Sequence, residues 1–92
     1  MVKAKFKCDE VRRQLTMRDS GQKNELGSPI YKPVEMQTII MSPVYGNGDP
    51  NHENTKFWNA SPSGKLELGC INLAAAEQFE LGKEYYLTFE QA

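Results

Sequence analysis

Apolar and polar residues alternate strictly at the start of the chain. Val2, Ala4, Phe6 and Cys8 fall on one side, and Lys3, Lys5 and Lys7 on the other. A period of two is the mark of a strand with one face buried and one in water. Past Asp9-Glu10 the phase slips by one. Val11, Leu15 and Met17 become the apolar set, while Arg12, Gln14, Thr16 and Arg18 turn away. A slip without a turn signal predicts a β-bulge or sharp bend, or else a short break between two strands. Arg13 falls in the apolar phase, which sets it against a carboxylate or against a partner.

The run from Asp19 to Pro29 is polar and glycine-containing, so it reads as a loop, long for a hairpin. Ile30 to Val44 reads as a second long strand, with Val34, Met36, Thr38 and Ile40 in one phase. Pro33 and Pro43 mark its edges or limits, because proline cannot donate to a ladder. Residues 46–54 form the strongest turn cluster, Phe57-Trp58 is a short aromatic run, and 61–64 is another turn. Leu66 to Cys70 alternates again as a strand. Asn72 is an N-cap for a brief alanine-rich helix from Leu73 to about Glu80, with Gly82 as its stop. Glu84 to Glu90 closes the chain as an aromatic-rich strand.

The sum is an α+β chain, mainly antiparallel β, with one short helix before the last strand. A four- to five-stranded sheet and a partly open barrel both fit. The oligonucleotide-binding fold has a similar content, with its helix between its third and fourth strands, but strand order stays open here.

Length bounds this further. Ninety-two residues make a single domain, 1–92, with a modest core. No stretch approaches the roughly 20 apolar residues of a membrane span. The N-terminus has lysines but no apolar segment of a signal peptide. Cys8 and Cys70 both sit in apolar phases and read as buried reduced thiols of a cytosolic protein.

Charge changes the picture. Residues 1–32 hold eight basic side chains (Lys3, Lys5, Lys7, Arg12, Arg13, Arg18, Lys23 and Lys32) against four acids, and residues 33–92 hold three against eight. Net charge is only −1. Such polarity lets a nearly neutral protein offer a basic strip to a polyanion. The Lys3-x-Lys5-x-Lys7 ladder spaces its ammonium groups by roughly 6.6–7 Å, close to successive phosphates on an extended strand. The same ladder also serves as a solvated face that blocks edge-to-edge aggregation. Tyr31, Tyr45, Phe57, Trp58, Tyr85 and Tyr86 are candidate stacking platforms or interface anchors, and equally candidate core residues. As neighbours on a strand point to opposite faces, one of each adjacent pair should be exposed.

Catalytic chemistry finds no foothold. Asp49, His52 and Glu53 lie close in sequence, but a metal needs groups converging from several elements, and a lone His in a turn reads as solvated. Gly46-x-Gly48 opens no helix and lacks a phosphate-binding Lys, so it is a turn. No Ser or Cys stands beside a recognisable base. The sequence thus calls for no cofactor, no small-molecule substrate and no enzyme.

The segments Val2–Cys8, Asp49–Gly64 and Leu81–Phe89 resemble small accessory proteins of tailed phages. Taken over its whole length, the chain resembles the type I-F anti-CRISPR proteins of enterobacterial phages. The resemblance implies an inhibitor, acting in the host bacterial cytoplasm, that binds the RNA-guided surveillance complex and blocks target recognition by occluding subunits and guide RNA. The chain departs from duplex mimicry, since −1 is far from a DNA-like charge. On this reading Lys3, Lys5, Lys7, Arg12, Arg13, Arg18, Lys23 and Lys32 contact guide phosphates or acidic subunit surfaces. Glu77, Glu80, Glu84, Glu90 and Trp58 meet partner protein. The alternative is a phage single-stranded nucleic-acid binder acting alone.

Overall fold

The computed structural model describes residues 2–92. Six elements follow one another: β1 (Val2–Lys23), β2 (Pro29–Pro43), α1 (Glu53–Trp58), β3 (Leu66–Cys70), α2 (Leu73–Ala76) and β4 (Glu84–Phe89). The strands form one open antiparallel sheet in the order β3-β2-β1-β4. The sheet is the four-stranded alternative, and no barrel closes.

The slip at Asp9-Glu10 is a bulge inside a single strand: Cys8 pairs with Met41 and Glu10 with Ile40, leaving Asp9 as the extra residue. Its carboxylate accepts from the Ser42 hydroxyl. The bulge keeps Ala4, Phe6 and Cys8 on the same face as Val11, because all pair with the odd-numbered set of β2 or with β4 partners of that face. On this face Ala4, Phe6, Cys8, Ile39 and Met41 are buried, and Ala76 of α2 closes over them. Val11, Trp58, Leu66, Cys70, Phe79, Tyr85 and Leu87 complete the cluster.

Two elements differ from the sequence expectation. First, β1 runs on through 19–23, where a loop is expected, and the tip is only residues 24–28. A second bulge lies between Asp19 and Gln22, with Gly21 at φ +82°, a conformation costly for other residues. Asp19 accepts from the Gly21 N–H at 2.8 Å, and the Ser20 hydroxyl donates to the Ile30 carbonyl at 2.6 Å, so local polar bonds stabilise the ladder. At the tip Asn24 Oδ1 accepts from the N–H groups of Leu26 and Ser28.

Second, Glu53–Trp58 is a helix, so Phe57-Trp58 is not a strand. His52 caps it, its Nδ1 accepting from the Asn54 N–H at 3.1 Å; the imidazole is half-buried rather than solvated. Glu53 sits in the first turn and Lys56 in the last, each favourable to the helix dipole, and Asn59 ends it in the left-handed region. The helix before β4 is shorter than expected, but Asn72 does cap it, accepting from Ala75 N–H at 3.3 Å.

Strand β2 also uses its faces differently from a simple two-phase reading. Ile39 and Met41 enter the core, yet Thr38 on the opposite face is buried too. Met36 lies over Gly69 of β3, where a Cβ would come within 3.3 Å of its sulfur. Both thiols are free, with Cys8 buried and Cys70 only half-buried. Burial pushes the Cys8 thiol up. Among the described residues no helix is long and apolar enough to cross a membrane.

Candidate functional site

Pairing with β4 covers β1 only over 2–7, and pairing with β3 covers β2 only over 37–41. Beyond those limits, from Gln14↔Met36 to Lys23↔Pro29, β1 and β2 continue alone as a two-stranded arm. The molecule therefore measures 64 × 29 × 20 Å with a radius of gyration of 18.4 Å. A compact chain of this length would have a radius of about 12 Å.

Lys3, Lys5, Lys7, Arg12, Arg18 and Lys32 share one face of this long sheet. The polarity along the chain is largely cancelled there in space. Antiparallel pairing lays the C-terminal strand beside the lysines, with its one carboxylate, Glu84, opposite Lys7. Lys5 Nζ lies 3.4 Å from Glu53 Oε1, and Arg12 Nε lies 3.1 Å from Glu10 Oε1. Lys3 Nζ sits 4.0 Å above the Tyr86 ring centroid and Lys5 Nζ 5.3 Å from it. Tyr86 is exposed, as one of the Tyr85/Tyr86 pair should be, but ammonium groups lie against its ring.

These contacts tune the charges. Hydrogen bonds from its own backbone N–H and from the Tyr86 hydroxyl, with Lys5 adding its charge against a burial penalty, hold the Glu53 carboxyl down at about 2. For Lys5, desolvation opposes the ammonium, but Glu53, Tyr86 and Glu84 together outweigh it and raise its pKa. Beneath them Asn54 is fully buried. Its amide takes the Lys5 N–H and gives its own hydrogens to the Lys5 and Val44 carbonyls, all at 2.7 Å. Asn54 thus closes the gap where β2 leaves β1, a role nothing in a turn-rich segment announces beforehand.

Farther out the balance changes. Arg18 stands directly opposite Lys32, and no carboxylate lies within ion-pair range of either among the described residues. Like charges facing each other across a ladder repel. Lys23 is exposed at the base of the tip, opposite Pro29. On the reverse face Arg13 meets a carboxylate, its Nε 2.7 Å from Glu35 Oε1, yet stays solvent-exposed. Beside it Leu15, Met17 and Tyr31 are 73%, 60% and 57% exposed.

The weaker expected partner contacts scatter. Glu77 caps the end of α2 and Glu80 lies in the turn after it, its N–H donating to the Tyr85 hydroxyl at 2.8 Å. Glu84 joins the lysine face and Glu90 follows β4. Trp58 is half-buried against Phe6, with ring centroids 6.1 Å apart, and donates to the Ser63 carbonyl; Phe57 is the exposed member of that pair. Among the described residues no three His, Cys, Asp or Glu side chains converge as a metal site. One cleft of about 240 Å³ lies between Tyr45-Gly46 and Asn59–Pro62, with no ionisable group except Tyr45 lining it.

The chain matches no protein-family model, no curated protein and no solved structure.

Proposed function

We propose that this protein is a non-enzymatic, phage-encoded inhibitor that binds the type I-F RNA-guided surveillance complex in the host cytoplasm and blocks target DNA recognition. The observation that supports this reading best is the arm. It projects from a packed base, exposes Arg18 opposite Lys32 on one side, and exposes Leu15, Met17 and Tyr31 on the other. A narrow two-faced projection suits a wedge that meets guide phosphates with one face and a protein subunit with the other. The lysine ladder contributes less, because Glu53 and Glu84 neutralise much of it.

The stand-alone nucleic-acid binder draws on the same cations, but Lys3 against Tyr86 takes up the ring that would serve as a stacking platform on that face. One experiment addresses both readings. The protein is titrated into an assembled, guide-loaded type I-F complex, and target duplex binding is followed by mobility shift, with free RNA in parallel. The expected result is loss of target binding with little affinity for free RNA. Two phosphate contacts would weaken binding by roughly sevenfold between 50 and 200 mM salt. Lys32→Glu would weaken it several-fold. Undiminished target binding overturns the inhibitor, and tight binding to free RNA alone establishes the second reading.

A further inference from the structure

Strand β1 has an outer edge that the fold leaves open. Cys8 donates its N–H to the Lys83 carbonyl and accepts from the Gly82 N–H, so its backbone polar groups point away from β2. Cys8 pairs with Met41, and the same alternate set of β2 (Ile39, Gln37, Glu35 and Pro33) pairs with Val11, Arg13, Leu15 and Met17. By the alternation of an antiparallel ladder, those four residues also turn their N–H and C=O groups outward. Pro33 opposite Met17 agrees, since a residue without an N–H loses nothing in an outward-facing position. The β4 ladder ends at Lys7, and the second bulge begins past Asp19. The free edge therefore lies between them, along residues 10–18.

The other edges are blunted. Prolines 29 and 33 interrupt β2 in the arm, and β3 and β4 are only five and six residues long. No proline interrupts β1.

We propose that β1 pairs along residues 10–18 with the same segment of a second copy of this chain, antiparallel and centred on Gln14. The register follows from the residues. A two-fold axis at Gln14 sets Val11 opposite Met17 and Arg13 opposite Leu15, so every outward-facing residue meets an outward-facing one. It also sets Glu10 opposite Arg18, twice by symmetry. Moving the axis to Leu15 instead opposes Arg12 to Arg18. Glu10 already touches Arg12, but that pair is about half-exposed and leaves the carboxylate free to bridge. Pairing converts two bare hairpins into one four-stranded sheet, with Val11, Leu15 and Met17 of both copies adjoining on one face. The assembly needs no bound complex or nucleic acid, so it stands or falls separately from the inhibitor reading.

The test is sedimentation of the full-length chain over a wide concentration range, on wild type, Glu10→Arg, Arg18→Glu and the double variant. A reversible dimer is expected. Either single reversal opposes like charges at both pairs and weakens it about tenfold, and the double variant restores it. An equimolar mixture of the two single variants regains a dimer that neither forms well alone. In a Cys70→Ser background, Gln14→Cys is expected to oxidise to a covalent dimer, since facing Cβ atoms at the axis lie within reach of a disulfide. Circular dichroism confirms that each variant is folded. A wild type that stays monomeric throughout overturns the proposal, whether or not another protein's strand takes the edge. A dimer indifferent to both reversals and without the Gln14 cross-link overturns it equally, because the copies would then meet elsewhere.

Discussion

The base of the sheet and the arm are built from the same two strands, yet they live in different surroundings. In the base, β3 and β4 flank β2 and β1, and α1 and α2 close the ends and one face. Ile39 and Met41 are 1% and 0% exposed there, whereas Leu15 at a matching position of the arm is 73% exposed. A lone two-stranded hairpin is marginal in water. The arm persists because both strands are already aligned in the base, and because Asn24, Ser20 and Asp19 satisfy backbone groups near its tip. Strand pairing can thus extend well past the core that anchors it. Apolar side chains on that extension contribute little to folding and remain available for contact.

The sharpest way to break this contrast is to truncate matched side chains. Met41→Ala in the base should cost about 2–5 kcal/mol, through lost transfer energy and the cavity left behind. Urea denaturation followed by circular dichroism measures it. A loss below about 1 kcal/mol would mean that the base collapses easily and does not anchor the arm.

Next in size is Asn54, which lies wholly within the base and ties β1 to the chain leaving β2 at Val44. Asn54→Ala leaves the Lys5 N–H and the Val44 C=O without their partner, while the Lys5 C=O keeps only the Val44 N–H at 3.0 Å; the cost is about 1–3 kcal/mol for such a buried group. Asn54→Asp keeps the acceptor for the Lys5 N–H but loses both donated bonds. Denaturation midpoints should therefore fall in the order wild type, Ala variant lower, and the Asp variant also below wild type. An Asn54→Ala midpoint equal to wild type would show that water replaces the amide without loss.

How far these regions could be read from residues alone follows the same division. Alternation over Val2–Cys8 makes the strand legible and the slip marks an irregularity at Asp9-Glu10, because burial against a real core imposes a clean period; the register with β2 decides for a bulge over a bend or a break. The bounds of β3 and the Asn72 cap are also legible, since a cap is local chemistry; Gly82 is left-handed but does not stop the helix, which already ends at Ala76 with Glu77 as its cap. The continuation of β1 through 19–23 is not legible. Its residues are polar on both faces because nothing covers them, so the ladder carries no hydrophobic signal. Helix α1 was hidden among Asn, Asp and Gly; Glu53 at its start and Lys56 near its end were the available signs. The lysine strip is plain in the alternation, but its neutralisation depends on β4 lying beside β1, which no local pattern states. Arg18 and Lys32 were both candidates, yet only register reveals that they face each other.

A smaller effect concerns pH at the base. Glu53 titrates near 2 in the folded protein against an ordinary carboxyl near 4.5. A depressed pKa means that the unfolded chain binds the proton first, so the stabilisation is complete above about 4.5 and fades as pH falls toward 2. Lys5 acts in the opposite sense. Its raised pKa gives stabilisation that is full below the ordinary lysine value of 10.5 and lost as pH climbs beyond it. Thermal melts of wild type and Glu53→Gln between pH 5 and pH 2 should converge as pH falls. A constant gap across that window would remove the carboxylate from the account.

The smallest expected effect is the most telling for the arm. Leu15→Ser with Met17→Ser should change the stability of the dilute protein by no more than about 0.5 kcal/mol, because both side chains are already in water. On the proposed inhibitor reading, the same double substitution should also lower affinity for the surveillance complex, since it strips the apolar half of the projecting face. It should also weaken self-association, because Leu15 and Met17 lie along the proposed β1–β1 seam. Folding and contact would then separate cleanly: the base carries the first and the arm the second. If instead this change unfolds the protein as strongly as Met41→Ala does, the arm is folded back against something in solution. Its exposed face would then be part of the core, and the contrast between arm and base would not hold.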